Sequence, residues 1–186
     1  GDKITLHVES NGSYDAPKAI EVGKRLQDHN YHFFEEPCPF DHLEDTKRVA
    51  DALTIPIAGG EVETSVRRFR WMIRNGAVQV VQPDLHYNGG FIRAIRIARM
   101  AAVAGMSITV HMSGGGVGYV DMLHLASCVP NIGEFQEYKG GVDRSGQWYD
   151  PPLKLKDGAV TVPTGAGLGL ASDLKMFKKA KPVGPS

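Results

Sequence analysis

Glu9, Glu35 and Glu61 follow or close three short apolar runs, ITLHVE, HFFEEP and IPIAGGE. Separated carboxylates that converge suit a hard divalent cation, and Mg²⁺ keeps waters or substrate oxygens in its remaining positions. Without a cation the three would repel, and at least one would take up a proton. Asp84 and His111 close the next two runs, VQVVQPD and SITVH. A carboxylate beside an imidazole fixes its tautomer and supports its protonated form, which gives a general base or acid near neutral pH. Glu137, in GEFQE, offers a hydrogen bond to a substrate carboxylate if protonated, or an anchor for a cation. Each residue has a plainer role open to it: a surface or ion-paired acid, or a histidine packed in a core. What favours chemistry is recurrence, at intervals of 26, 26, 23, 27 and 26 residues from Glu9 to Glu137.

A period of that length marks repeated β-α units, and parallel strands bring equivalent ends to one face. The chain reads as strands over 3–9, 32–36, 56–60, 78–83, 107–112 and 134–138. Helices fall between and after them, over 16–29, 41–53, 64–75, 89–104 and 117–128, with apolar residues at helical spacing. Asp15 with Pro17 and the Thr64-Ser65 pair mark helix starts, while Asn75-Gly76 and Gly105 mark ends. The fold class is therefore α/β, a TIM-type (β/α) barrel or an open doubly wound sheet. Six units are visible, whereas a closed barrel needs eight strands in about 250 residues. From about Gly140 the chain turns rich in Gly and Pro, with LysLeuLys and AlaValThrVal as short strand candidates. Residues 1–140 are thus expected to form a partial barrel domain, and 141–186 a return segment and tail. The glycines in MetSerGlyGlyGlyValGly after His111 suit a close approach to a small anion or a plain βα loop.

Composition narrows the function. The chain has 186 residues, with 21 Lys and Arg against 21 Asp and Glu. Zero net charge gives no electrostatic footprint for nucleic acid. No apolar run approaches the roughly 20 residues of a membrane helix, and no signal peptide opens the chain. Cys38 and Cys128 lie outside any metal-binding spacing and read as buried, reduced thiols, which points to the cytoplasm.

The chain resembles the barrel domain of the enolase superfamily, in its mandelate racemase branch. The resemblance rests on GluSerAsnGlySerTyr (9–14), PheGluGluPro (34–37), AlaGlyGlyGlu (58–61), GlnProAsp (82–84), ThrValHisMet (109–112) and GlnGluTyr (136–138). ProThrGlyAlaGlyLeuGly (163–169) resembles the closing signature, so the likeness runs from about residue 3 to 175. It implies six units equivalent to strands three to eight of the barrel. It implies Mg²⁺ on Glu9, Glu35 and Glu61, with Asn11 beside the metal and near substrate. It also implies His111 as base or acid oriented by Asp84, and Glu137 donating to a developing enediolate. The Asp-His pair is similar to that of the racemase and sugar-acid dehydratase branch, whereas the cycloisomerase-like branch places Lys there.

The expected reaction is Mg²⁺-assisted removal of the proton next to a carboxylate, leading to dehydration of a sugar acid. Racemisation or epimerisation of a 2-hydroxy acid is the alternative, and a non-catalytic barrel remnant with a structural or binding role is another. Two departures bear on this. The family's first ligand is typically Asp, where this chain has Glu9. The capping domain and the strand with Lys-x-Lys have no counterpart in the sequence. Unpaired strand edges then predict a homo-oligomer or a complementing N-terminal chain.

Overall fold

The computed structural model describes residues 3–112, 116–138, 149–172 and 178. Five parallel strands form one sheet in chain order: β1 (His7–Glu9), β2 (Phe33–Glu35), β3 (Ile57–Gly59), β4 (Val80–Val81) and β5 (Ser107–Ile108). The helices that follow are α1 (Ala16–Asp28), α2 (Leu43–Ala52), α3 (Val66–Asn75), α4 (Leu85–Asn88), α5 (Phe91–Val103) and α6 (Val117–Cys128). The α/β class with parallel strand-helix units therefore holds. The expected helix over 89–104 is α5, and the short α4 precedes it, set apart by Gly89 and Gly90 at φ 93° and 92°.

Strand alternation assigns the faces. Phe34 pairs with Ile57 and Val81 with Ile108, and all four lie on the helix side. Together with Val49, Phe69 and Ile97 from the helices, they belong to one buried core. The alternate residues Phe33, Ala58 and Val80 form a separate small cluster on the opposite, inner face. Glu9 and Glu35 are register partners across β1 and β2, so the pattern that buries Phe34 aims Glu35 inward.

Helix ends follow local chemistry. Asp15 Oδ1 accepts the Lys18 N–H at 2.9 Å, as an N-cap should. Gly76 closes α3 at φ 64°, where a side chain would be strained. Ser65 precedes α3 without capping it. Instead Glu63 Oε1 accepts the Ser65 N–H at 2.7 Å, and Oε2 of the same buried carboxylate meets Arg68 Nε at 2.6 Å.

The expected sixth strand over 134–138 does not form. Its place beside β5 holds a single parallel bridge, Ile108 to Ile132. The reason lies in side chains that take ladder positions: Gln136 Oε1 accepts the Val110 N–H at 3.1 Å, and Glu137 Oε2 accepts the Met112 N–H at 2.7 Å. Backbone donors satisfied in this way leave no regular pairing to extend.

The return segment contains two short antiparallel pairs. Strand β6 (Tyr149–Asp150) pairs with β9 (Ala171–Ser172), and β7 (Leu155–Lys156) with β8 (Ala159–Val160). Asp157 and Gly158, both at positive φ, make the tight turn that two-residue hairpins favour. The segment docks through buried Leu153 and through the Leu168 carbonyl, 3.0 Å from His124 Nε2. Cys38 is buried as expected, but Cys128 is exposed because α6 ends at it. Among the described residues no helix is long and apolar enough to cross a membrane.

Phe34 is completely buried between sheet and helices. Phe34→Ala should therefore destabilise the fold by about 3–5 kcal/mol, measured as a fall in the urea midpoint.

Candidate functional site

The inner face of the sheet and its carboxyl ends enclose a cleft of about 540 Å³. Glu9, Asn11, Glu35, Glu61, His111 and Glu137 all line it. Asp84 stands just behind the lining, 2% exposed and bonded to His111. All seven residues singled out in the sequence thus meet in one neighbourhood.

Glu9, Glu35 and Glu61 each offer a carboxylate oxygen within 4.8 Å of the others. Glu9 and Glu35 reach this point as register partners; Glu61 arrives two residues after β3, through Gly60. Gly60 lies at φ 114°, and a Cβ there would come within 2.6 Å of Phe69 Cε1. Only glycine lets the chain cross the Phe69 ring and deliver Glu61. Asn11, itself at φ 47°, donates its backbone N–H to Glu9 Oε1 at 2.5 Å. The side chain of Glu61 is 13% exposed, while Glu9 lies exposed on edge strand β1.

Burial pushes the Glu35 carboxyl up to about 8. A hydrogen bond from Gln82 pulls it back, and the charges of Glu9 and Glu61 add to the rise. A positive ion would oppose that rise by favouring the charged carboxylate. The donor set is all oxygen and the atoms are close enough to share one ion, so the residues fit a hard divalent cation.

The second group is the Asp84–His111 pair. Asp84 Oδ1 accepts the N–H groups of His86 at 2.7 Å and Tyr87 at 3.1 Å, at the start of α4. That anchors Oδ2, which lies 2.9 Å from His111 Nδ1. The carboxylate assigns the proton to Nδ1 and leaves Nε2 facing the cleft, 3.4 Å from Glu61 Oε2 and 3.9 Å from Glu137 Oε2. Burial alone lowers the His111 pKa, but the hydrogen bond to Asp84 and the charges of Glu61 and Glu137 outweigh it. The net direction is upward, which favours the protonated ring. Tyr87 stacks at 6.5 Å between ring centroids.

Glu36 is a residue the sequence reading did not single out. It is 8% exposed, sits at φ 40°, and is pushed up to about 7, chiefly by burial and then by Glu61 and Glu9. Its Oε1 is buried without a hydrogen-bond partner among the described residues. The doublet Glu35-Glu36 carried a signal: if one side chain of a strand faces the cleft, the next must leave it. The loop glycines 114 and 115, considered above for anion binding, lie outside the described residues.

Carboxylates and a histidine gathered beyond the carboxyl ends of parallel strands occupy the place that barrel folds use for their sites. Residues 1–176 match the family described as enolase C-terminal domain-like, and the chain belongs to that family. It is 30% identical to the arabinonate dehydratase of Saccharolobus solfataricus, over 97% of this chain and 48% of that protein. Among solved structures it is similar to a mandelate racemase/muconate lactonizing enzyme from a Sulfitobacter species. The TM-score there is 0.85, with 35% identity over 95% of this chain and 44% of that one. It is also similar to the L-talarate/galactarate dehydratase of Salmonella typhimurium LT2, with TM-score 0.81 and 28% identity over 96% and 43% of the two chains. The chain thus spans about half the length of these relatives or less.

Folded Glu35 holds its proton to about pH 8, whereas an unfolded glutamate releases it near 4.5. The folded state then binds more protons across that window, so in divalent-free buffer stability should fall as pH rises from about 4.5 to 8. His111 acts in the same direction: its raised folded pKa stabilises fully below the unfolded value, and the benefit fades as pH climbs through the folded one. Urea midpoints at several pH values should show this slope, and Glu35→Gln should flatten it. A midpoint that rises with pH would contradict the assignment.

Proposed function

We propose that this chain carries the metal-holding and proton-transferring part of an acid-sugar dehydratase. The observation that carries the reading is His111 Nε2. It faces the cleft within 3.4 Å of Glu61 and 3.9 Å of Glu137, so a single imidazole borders both the carboxylate triad and the last acid. Glu9, Glu35 and Glu61 would hold Mg²⁺. When bound, the ion supplies positive charge that polarises a substrate carboxylate and lowers the cost of charge developing on it.

The residues then divide the work. His111 Nε2 takes the proton from the carbon next to the substrate carboxylate, and Asp84 stabilises the imidazolium that results. Glu137, which lines the same cleft, would meet the substrate carboxylate as charge builds there and would hydrogen-bond it on taking up a proton. The same imidazolium returns its proton to the departing β-hydroxyl. The C–O bond breaks, water leaves, and the enol product becomes a 2-keto-3-deoxy acid. Asn11 borders the space that a substrate hydroxyl or carboxylate would enter.

The similarity to arabinonate and L-talarate/galactarate dehydratases supports elimination. Similarity to a mandelate racemase/muconate lactonizing enzyme keeps racemisation as the alternative. Elimination uses one proton-handling group, which His111 supplies, while inversion needs a second on the opposite face. A second reading, a binding or structural protein, is favoured by Glu9. It lies exposed on an edge strand, and its longer side chain fits strict Mg²⁺ geometry less well.

Two measurements separate these. Millimolar Mg²⁺ should raise the thermal midpoint of the chain and of His111→Asn, but not of Glu61→Gln. With aldonic and aldaric acids, keto-acid formation and exchange of the α-proton with D₂O should appear in the parent chain. Both should drop roughly 10²–10⁴-fold in His111→Asn. A Mg²⁺ shift without exchange on any acid would leave the binding reading standing.

A further inference from the structure

Charge is unevenly distributed over the outer face. Helices α3 and α5 carry seven arginines, Arg67, Arg68, Arg70 and Arg74 with Arg93, Arg96 and Arg99, and not one Asp or Glu. The chain has 21 basic and 21 acidic residues, so removing these seven leaves 14 against 21 elsewhere. Arg68 pairs with Glu63, and Arg93 donates to the Asn88 carbonyl. Arg67, Arg70, Arg74, Arg96 and Arg99 form no ion pair among the described residues.

Between the two helices lies a groove of about 590 Å³, away from the cleft. Arg70 and Arg74 rim it from α3 and Arg99 from α5, while Ile73, Met100 and Val103 supply apolar surface. Val103 is 93% exposed and stands in the groove beside Met100 and Ala104. Arg67, Arg70 and Arg74 share one face of α3 at helical spacing, as do Arg96, Arg99 and Val103 on α5.

We infer that this groove docks an acidic amphipathic helical segment of a partner protein. Its apolar stripe would lie on Met100, Val103 and Ala104, with Ile73 buried beneath them, and its carboxylates would meet the arginines on both rims. Apolar floor and charged rim are the two features that helix-in-groove recognition uses. Arginine suits the rim because its planar fork pairs carboxylates in two-bond geometry. Nucleic acid fits less well, since phosphates gain nothing from an apolar floor. A second copy also fits less well, because three of its helix acids are already engaged. The two without an ion pair among the described residues, Asp28 and Glu44, stand on different helices and make no acidic stripe. Glu21 pairs with Lys18 and Arg25, Asp45 with Arg48, and Asp51 with Lys47.

The test uses the full chain and a fluorescent synthetic peptide helix with leucines on one face and glutamates flanking them. Its control keeps every glutamate and replaces each leucine with serine. Anisotropy titration should show saturable binding, weakened by added salt, and at least roughly tenfold tighter for the leucine peptide. The double variant Arg70→Glu, Arg99→Glu should lose at least roughly tenfold in affinity with an unchanged thermal midpoint, since both side chains are exposed. Equal binding of the two peptides, or none, overturns the proposal. So does equally tight competition by duplex DNA or by anionic lipid vesicles. Concentration-dependent dimerisation that the double variant abolishes would assign the groove to a second copy instead.

Discussion

Three carboxylates at one end of a sheet cannot all be ionised in a small volume without a countercharge. That electrostatic constraint organises the cleft. Glu9 and Glu35 are forced together because β1 and β2 run parallel and in register. Glu61 joins them from beyond β3, and the Glu35 carboxyl rises to about 8, first through burial and then through the charges of the other two. Nearby groups adjust to the same field. Gln82 turns a hydrogen bond towards Glu35, and His111 is tilted towards its charged form despite its burial.

Much of this was legible in the sequence because two simple periods coincide. Alternation along HFFEEP sends Phe34 to the core and Glu35 to the cleft, and the β-α repeat stacks equivalent positions at one rim. The helix starting at Asp15 and the end at Gly76 followed from cap chemistry that depends only on neighbours. The interval from Asp84 to His111 foretold their meeting, and a 2.9 Å contact joins them.

What the sequence did not reveal depends on tertiary partners. Residues 134–138 have a strand-like composition, yet the side chains of Gln136 and Glu137 take the Val110 and Met112 N–H groups that a strand would have used. A pattern rule weighs side chains by polarity and face, and has no way to see one standing in for backbone. Glu36 was hidden for a related reason. Its positive φ and buried oxygen reflect the fit of a whole turn against Gly60 and Ser10. Cys128 looked buried from its apolar neighbours, but α6 simply ends there.

Gly60 and Phe69 join two regions that otherwise belong to different problems. The ring of Phe69 is wholly inside the hydrophobic core, and the backbone that carries Glu61 rests against it. The reach of a candidate ligand is thus set by the thickness of an aromatic ring that never touches the cleft. Changes in core volume at that point would move the Glu61 carboxylate relative to those of Glu9 and Glu35. In such a molecule the stability of the core and the spacing of the three carboxylates cannot drift apart: a substitution selected for one is tested at once by the other.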